Sequence, residues 1–341
     1  MRLKSPFSFY LAILTAGILL QSTPSRGQAV PDVSARRVIE LAPIDGREKQ
    51  PVISGVAIDP AGKLLAAAGD DHLVRILNAQ NGGLVERLKW HADWVKVSAF
   101  RPDGQVLATA GADGRIRLWD VGSGKRPRDL TDRLPAIYTL AFSPDGRTLA
   151  AAGFGDKVSV FDVQQGLLVR QFDAPGNDVR TIAFSPDGAR MAAAGRTGVV
   201  RVWDTQTGRA VTDVTASTRR INALCYSPDG KLLAAAGQQR IIRLLDASTG
   251  SPVADLTQPS GAVMALCFCG PRTLASAGSG NVIHLWDLAK GQEVRRMVGH
   301  TGSITTLVLD QHTGTLISGS YDTTVRLWNV ADQAIEKMTR R

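Results

Sequence analysis

The segment AFSPDGRTLAAAG, residues 141–153, returns almost unchanged as AFSPDGARMAAAG at residues 183–195. Each version places a Pro-Asp-Gly turn between a short apolar stretch and a run of small apolar residues. Short apolar runs joined by a glycine-containing turn are typical of two antiparallel strands that form a hairpin. The segment carries no obvious reactive group, so its recurrence indicates a structural unit that is built more than once.

The same unit recurs seven times along the chain. Near the end of each copy, one position holds tryptophan or another large apolar residue and is followed by Asp or Asn. Successive copies of this position are 42 residues apart, with a single interval of 41. The seven positions are Leu77, Trp119, Phe161, Trp203, Leu245, Trp286 and Trp328. Such a constant period predicts a repeat architecture, which has to be recognised before domains are counted.

The second copy shows the order of the elements. VKVSAF at 95–100 is followed by the turn RPDG, the run QVLATAG at 105–111, a turn at Asp113-Gly114 and RIRLWDV at 115–121. A looser segment precedes the next copy, which gives four strands per unit and no helical periodicity. A four-stranded sheet buries little apolar area alone, so neighbouring copies must stack their faces, and a closed ring leaves no end unprotected.

A period near 42 with Gly-His early, Pro-Asp-Gly in the middle and Trp-Asp late resembles the WD-repeat β-propeller family. The resemblance covers residues 36–341. It implies an all-β fold, a seven-bladed β-propeller of four-stranded antiparallel sheets. It implies little about chemistry, because such scaffolds carry many unrelated functions.

The resemblance also implies a hydrogen-bonded network within a blade, which joins a loop histidine, a strand serine or threonine, a turn aspartate and the tryptophan. Two copies carry the full set: His91, Thr109, Asp113 and Trp119, and His300, Ser318, Asp322 and Trp328. The first copy retains Asp71 but has Ala67 and Leu77 instead of the other members, and four copies lack the aspartate. We therefore expect most blades to be held by apolar packing and backbone hydrogen bonds.

Two segments compete to supply the outer strand of the last blade. RRVIEL at 36–41 resembles the outer-strand segments of other copies, and AIEKM at 334–338 has the matching offset after Trp328. We favour residues 36–41, because the apolar side chains of that segment otherwise have no partner, and because propellers of this family often close with an N-terminal strand.

The first 29 residues differ in composition from the rest. Arg2 and Lys4 precede an apolar run over residues 7–20, and small residues end the segment at Gly27 and Ala29. This pattern is typical of a secretory signal peptide, and the run is shorter than the ~20 residues that span a bilayer. A buried N-terminal helix and an uncleaved membrane anchor are the alternatives.

The predicted division is therefore a signal peptide at 1–29 and a single propeller domain at 30–341. The mature protein is expected to be exported, periplasmic or extracellular, a bacterial-type member of the family with no membrane span after cleavage. Cleavage would leave 37 basic and 31 acidic side chains, a net charge of +6. No run of Lys and Arg marks a nucleic-acid site, so we expect no nucleic-acid partner.

The sequence predicts no catalytic residue, no metal site and no cofactor. His300, Ser318 and Asp322 resemble a nucleophilic triad, but all three match the blade network, so a structural role is favoured. The other histidines lack metal-ligand spacing and are expected to be solvated: His72, His284 and His312. A propeller hydrolase or lyase would need clustered carboxylates or histidines at the channel, where only Asp70 and Asp178 are available.

Binding is expected at one rim of the ring, where three positions per copy vary widely in residue type while the core positions stay apolar. In copies two to five these positions carry cationic and aromatic residues: Trp94, Lys96, Tyr138, Arg180, Arg196 and Arg220. Because Trp, Tyr and Arg contribute disproportionately to interfaces, this arc is the predicted site for a protein or peptide partner, an acidic one included. The function predicted is a monomeric, non-enzymatic interaction scaffold. A solvated rim without a partner and a small-ligand or glycan-binding propeller are the alternatives.

Overall fold

The computed structural model describes residues 30–43, 50–131 and 134–330. These residues form seven sheets, six with four strands and one with five. The all-β, seven-bladed propeller of antiparallel sheets is therefore confirmed. The predicted signal peptide, residues 1–29, and the candidate closing segment 334–338 lie outside the described residues. No helix in the described part of the chain is long and apolar enough to cross a membrane.

Each blade runs from an inner strand at the ring axis to an outer strand at the periphery. The inner strands are β3 (Ile53–Ile58), β7 (Val95–Phe100), β11 (Ile137–Phe142), β15 (Val179–Phe184), β19 (Ile221–Tyr226), β23 (Val263–Gly270) and β27 (Ile304–Asp310). The second strands are β4 (Leu64–Gly69), β8 (Val106–Gly111), β12 (Thr148–Gly153), β16 (Arg190–Gly195), β20 (Leu232–Gly237), β24 (Thr273–Gly278) and β28 (Thr315–Ser320). The third strands are β5 (Leu73–Asn78), β9 (Ile116–Asp120), β13 (Lys157–Asp162), β17 (Val199–Asp204), β21 (Ile241–Asp246), β25 (Ile283–Asp287) and β29 (Thr324–Asn329). The outer strands are β6 (Leu84–Lys89), β10 (Arg128–Thr131), β14 (Leu168–Asp173), β18 (Ala210–Thr215), β22 (Pro252–Thr257), β26 (Gln292–Met297) and β2 (Arg37–Glu40).

The Pro-Asp-Gly turns close the hairpins between inner and second strands through local hydrogen bonds. In the fourth blade, Ser185 Oγ donates to Asp187 Oδ1 at 2.6 Å, and the Arg190 backbone N–H donates to Ser185 Oγ at 2.9 Å. Gly188 has a φ of +71°, a left-handed conformation that glycine adopts without a steric penalty. The repeated segment is therefore a hairpin whose turn is specified by its own residues.

The core consists of seven apolar clusters, one between each pair of neighbouring blades. The second strands contribute many fully buried alanines, whose small side chains let adjacent sheets approach closely. The large apolar position that defines the repeat is at most 4% exposed in all seven blades. The conserved spacing of the sequence thus corresponds to one side chain per blade buried against the neighbouring sheet.

The ring closes through the N-terminal segment. Strand β2 pairs antiparallel with β29, with Ile39 opposite Val325. Ile39 and Leu41 are buried in the apolar cluster between the seventh and first blades. The inner strands contact one another in a closed cycle that includes β27 with β3. The favoured choice of 36–41 as the closing segment is confirmed.

A short strand that the sequence did not predict adds a fifth member to the sixth blade. Strand β1 (Asp32–Val33) pairs parallel with the outer strand β26. The Arg296 N–H donates to the Pro31 carbonyl and the Val298 N–H to the Val33 carbonyl, each at 3.0 Å. The segment thus occupies an edge whose backbone groups would otherwise lack sheet partners.

Candidate partner-binding site at the mouth of the ring

All seven inner strands begin on one face of the ring, which we call the mouth. Each blade places three positions there: the residue just before the inner strand, the second residue of that strand, and the first residue after the second strand. Antiparallel pairing brings the third position beside the first, as in the hydrogen bond from the Ala112 N–H to the Trp94 carbonyl at 2.9 Å. These are the three positions whose residue type varies among the copies.

A glycine at the end of the second strand holds the first position close to the sheet. A Cβ atom at Gly195 would lie 1.9 Å from the carbonyl oxygen of Asp178, and one at Gly153 would lie 2.0 Å from that of Ala136. Real atoms do not approach so closely, so a side chain at either glycine would displace the backbone of the mouth.

The second residue of the inner strand has two different roles around the ring. In three blades it is a short polar residue that donates a hydrogen bond to the next inner strand: Ser54 Oγ to the Val95 carbonyl, Asn222 Nδ2 to the Val263 carbonyl at 2.9 Å, and Thr305 Oγ1 to the Ile53 carbonyl at 2.9 Å. In the consecutive second, third and fourth blades the same position holds Lys96, Tyr138 and Arg180. These long side chains contact one another across the mouth instead.

The three long side chains form a stack of alternating cations and rings with two further aromatic residues. Lys96 Nζ lies 2.9 Å from the centroid of the Trp94 ring and 5.8 Å from that of Tyr138. Arg180 Cζ lies 3.8 Å from the Tyr138 centroid and 5.3 Å from that of Phe154. The Tyr138 and Phe154 rings meet edge to face, with centroids 5.2 Å apart. Such contacts are attractive because the ring faces carry negative potential.

Asp178 holds two arginines in place at the end of this stack. It is 4% exposed, and its Oδ2 accepts hydrogen bonds of 3.2 Å from Arg180 Nη2 and from Arg220 Nη2. Arg180 Nε also lies 2.6 Å from Asp178 Oδ1, but its N–H is poorly aligned, so this contact is ionic rather than a hydrogen bond. One buried carboxylate therefore compensates two guanidinium groups from neighbouring blades.

The ammonium group of Lys96 has no carboxylate within ion-pair distance in the described part of the chain. Burial is the largest effect on its ammonium group, and it lowers the pKa of Lys96 to about 8 despite the opposing charge of Asp93. The charge of Arg180 lowers it further, and Asp70 acts in the other direction. Across the mouth, burial also raises the pKa of Tyr321, with a contribution from Tyr138. The mouth thus combines desolvated cations with aromatic surface.

The structure brings together five of the six residues predicted at the rim. Trp94, Lys96, Tyr138 and Arg180 belong to the stack, and Arg220 joins it through Asp178. Arg196 is exposed, and within the described part of the chain its side chain makes no hydrogen bond or ion pair. The prediction omitted three mouth residues that complete the cluster: Phe154, Asp178 and Tyr321. All three occupy the variable positions, so the alignment of the copies contained the signal, but a preference for cations hid it.

The two complete blade networks are buried within the sheets. Trp328 Nε1 donates to Ser318 Oγ at 2.8 Å, Ser318 Oγ lies 2.7 Å from His300 Nε2, and His300 Nδ1 lies 2.7 Å from Asp322 Oδ2. The second blade repeats the chain with separations of 2.8, 2.8 and 2.9 Å through its own four residues: Trp119, Thr109, His91 and Asp113. Proton positions assigned from the network make each histidine a donor to its aspartate and an acceptor from the hydroxyl.

Ser318 is buried in a way that fits a structural role. Its side chain is fully buried, and its oxygen already accepts the Trp328 N–H. A nucleophile must reach a substrate carbonyl, and this hydroxyl faces the interior of a blade.

A third, partial network was missed because it begins with glutamine. Trp286 Nε1 donates to Ser276 Oγ, and Ser276 Oγ donates to Gln258 Oε1, both at 2.8 Å. The separations of 18 and 10 residues along the chain equal those in the two complete networks, so spacing alone identifies it.

The expectation that His284 is solvated is wrong. His284 is 2% exposed, and its Nδ1 lies 2.5 Å from Glu293 Oε1, which Arg296 also contacts. Most other copies place an arginine at this position, where it forms an ion pair with an aspartate of its own blade. In the sixth blade the imidazole with its carboxylate replaces that ion pair. His72 is partly exposed and His312 is exposed.

Comparison with known proteins places the fold in a family. Residues 56–245 match the family described as "Nucleolar protein 10-like, N-terminal domain", and residues 291–329 match the "WD domain, G-beta repeat". The two matches together cover most of the repeats seen in the structure.

Shorter segments are similar to named eukaryotic proteins. A segment of 58 residues is 40% identical to the U3 snoRNP-associated protein-like protein of Arabidopsis thaliana. The aligned segment is 17% of this chain and 12% of that protein. Another alignment of 58 residues is 38% identical to eukaryotic translation initiation factor 3 subunit I of Eremothecium gossypii, 17% of each chain. A third, of 48 residues, is 40% identical to the periodic tryptophan protein 2 homolog of Neurospora crassa, 14% of this chain and 5% of that protein. The chain therefore spans less than a fifth of the length of these relatives.

These comparisons contradict the prediction of an exported, periplasmic or extracellular protein. The matching family is named for a nucleolar protein, and two relatives are named for U3 snoRNP and for translation initiation. The prediction of export is wrong, and no match supports a bacterial-type member. It relied on residues 1–29, where an apolar run of that length is shared by signal peptides, buried helices and membrane anchors. The exclusion of nucleic acid also lacks support, since one relative is named for an RNP.

Proposed function

The chain belongs to the nucleolar protein 10-like β-propeller family, and from that premise we propose that it is a non-catalytic interaction scaffold whose mouth binds a protein or peptide partner. One observation carries the proposal. Three consecutive blades replace the hydrogen bond between inner strands with Lys96, Tyr138 and Arg180, while three other blades keep that bond. The third and fourth blades bond to the next inner strand through Thr139 and Thr181 instead, so their long side chains are free to join a solvent-facing cluster and are expected to serve binding.

The composition of the cluster fits a protein partner. Trp, Tyr and Arg are the residue types that dominate binding energy at interfaces, because they offer large contact area and directed hydrogen bonds. Phe154 and Tyr321 add exposed aromatic surface, with exposures of 45% and 41%. The rings of Trp94, Tyr138 and Phe154 are held by contacts with Lys96 or Arg180, so little of their conformational entropy is lost when a partner binds.

The proposed setting is an intracellular RNA–protein or translation assembly, in which residues 30–341 act as one domain. The names of the relatives support this setting as a fold-level analogy, since the matched segments cover 5 to 17% of those proteins. In such an assembly the propeller would hold a partner without chemistry of its own.

A pull-down with tagged protein from extracts of the source cells tests the function. The double variant Trp94→Ala/Arg180→Ala should lose partners that the wild type retains, because it removes the ring at one end of the stack and the guanidinium group between Tyr138 and Phe154. The matched control is Trp90→Ala/Arg126→Ala, another Trp–Arg pair, 4.8 Å apart, that flanks the outer strands β6 and β10. Partner recovery that is the same for wild type and both variants would remove the mouth as the binding site.

A further inference from the structure

We propose that the Lys96 ammonium is the anchor for a carboxylate on the partner, so that the mouth selects an acidic peptide segment. This inference rests on the proposed function, because it assumes that the mouth binds a protein. It adds the chemistry of the partner and the residue that recognises it.

Lys96 differs from the other cations of the cluster because its charge is not paired with a carboxylate in the described part of the chain. Arg180 and Arg220 share the carboxylate of Asp178. In the described part of the chain, Lys96 makes no ion pair within 4.0 Å, and its nearest contact is the ring of Trp94. A half-buried ammonium without a counter-ion is costly, and a carboxylate from outside would relieve that cost.

The surroundings of Lys96 leave room for one anion. The titratable and charged groups near it are Asp93 before β7, Asp70 after β4 and Arg180 of β15, with Tyr138 of β11 beside it. Asp93 and Asp70 act at longer range than an ion pair. The site is therefore poised for a single added negative charge.

The same geometry disfavours single-stranded RNA as the ligand. Base stacking needs free ring faces, but Lys96 covers one face of Trp94 and Arg180 covers one face of Tyr138, which leaves the partly exposed rings of Phe154 and Tyr321 for stacking. The three mouth carboxylates, Asp70, Asp93 and Asp178, would repel a run of phosphates. A peptide that delivers one carboxylate to Lys96 avoids both difficulties.

The inference predicts that binding depends on pH. Since burial lowers the pKa of Lys96 to about 8, the ammonium is present at pH 7 and is lost as the pH rises through 8. A bound carboxylate favours the charged form, so affinity for an acidic peptide should fall as the pH rises above about 8, by up to tenfold per pH unit for one linked proton.

The test measures binding of an N-acetylated, C-amidated hexapeptide of five glycines and one glutamate to the full chain by calorimetry at about pH 7 and about pH 9.5. Wild type should bind more weakly at the higher pH. Lys96→Gln should weaken binding about tenfold at pH 7, whereas Lys96→Arg should retain binding at both pH values, because its guanidinium stays charged. Lys125→Gln is the control, since Lys125 is an exposed lysine of the same blade in the turn before β10, on the opposite face.

Several outcomes would overturn the inference without touching the proposed function. These are a wild type that does not bind the single-glutamate peptide, a Lys96→Gln variant that binds it as wild type does, and hexauridylate that binds more tightly than that peptide in a Lys96-dependent way. The pull-down with Trp94→Ala/Arg180→Ala reports on the mouth as a protein site whatever the anchor is. If the pull-down shows no difference but the calorimetry shows Lys96-dependent binding, the mouth binds an acidic ligand that is not a protein partner.

Discussion

Asp322 shows how much one side chain contributes to a blade. Its carboxylate accepts from His300, from Thr324 Oγ1 at 2.7 Å and from the Thr301 N–H at 2.9 Å. Asp322→Ala should lower the free energy of unfolding by about 1–3 kcal/mol, because it leaves buried donors without an acceptor. Denaturant unfolding measures the change, with the exposed Asp156→Ala as control. Equal midpoints for the two variants would show that the network adds nothing.

The same carboxylates should make the fold sensitive to acid. Burial by itself raises the pKa of Asp322 and of Asp113, but the hydrogen bonds from His300 and His91 and from neighbouring groups lower both pKa values well below the ordinary value. A depressed pKa stabilises the fold above about pH 4 and loses that contribution as the pH falls further. The free energy of unfolding should therefore drop between about pH 4 and pH 2, and less steeply in Asp113→Asn/Asp322→Asn. Parallel pH profiles would contradict this.

Burial of the Lys96 ammonium, which is proposed to serve binding, should lower the free energy of unfolding. Because burial lowers its pKa from 10.5 to about 8, the folded state is destabilised below pH 8 and the penalty disappears as the pH rises toward 10.5. Lys96→Met should raise the free energy of unfolding at pH 7 by about 1 kcal/mol, after allowance for solvent screening of a half-exposed group. The gain should shrink by pH 10, and a gain that is constant with pH would point to packing instead.

For single residues, the sequence predicts which residues take part in a network or site better than it predicts how they are buried and what they contact. The spacing of the copies located the residues of both networks and five of the rim residues that meet in space. It placed Asp178 at the channel but left it out of the binding rim, because that prediction favoured cations, and it misjudged His284, because burial of a strand residue depends on the neighbouring blade. Those are tertiary facts that a period of 42 does not contain.

Among the strands, the glycine that ends the second strand in six of the seven blades links the fold to the mouth. Gly195→Ala would place a Cβ atom 1.9 Å from the Asp178 carbonyl, so β15 would have to move away from β16. We expect a loss of about 2–4 kcal/mol, the range for a substitution that forces backbone shifts in a packed site. Thermal unfolding measures the loss. Gly270→Ala, at the end of β23 with no atom within 4 Å of the added Cβ and no left-handed φ, is the control, and equal losses would refute the clash.

The sequence predicts strands well where they repeat and poorly where they do not. Four strands per copy follow from the turns and the alternation of side chains. Strand β1 has only two residues and pairs through its backbone, so no side-chain pattern in the sequence predicts it. The prediction that the segment of β2, rather than residues 334–338, supplies the outer strand of the last blade is correct. It rests on the burial of apolar side chains that otherwise have no partner, not on local strand propensity.

For the whole molecule, closure by β2 completes the seventh blade with a strand from a distant part of the chain. Ile39 and Leu41 tie the seventh blade to the first through a shared apolar cluster. Each truncation to alanine should cost about 2–4 kcal/mol at a buried site, so Ile39→Ala/Leu41→Ala should strongly lower the melting temperature.

The control for closure is Leu256→Ala, which truncates an equally buried outer-strand residue inside a continuous blade. Opening the ring at its joint exposes both faces that met there, so hydrogen exchange in the closure variant should rise in β3 and β4 as well as in β28 and β29. In the control, the increase should stay within the fifth and sixth blades. Closure variants that exchange faster only in β2 would mean that six continuous blades hold the ring without it, and the closed cycle of inner strands would then be the stronger joint.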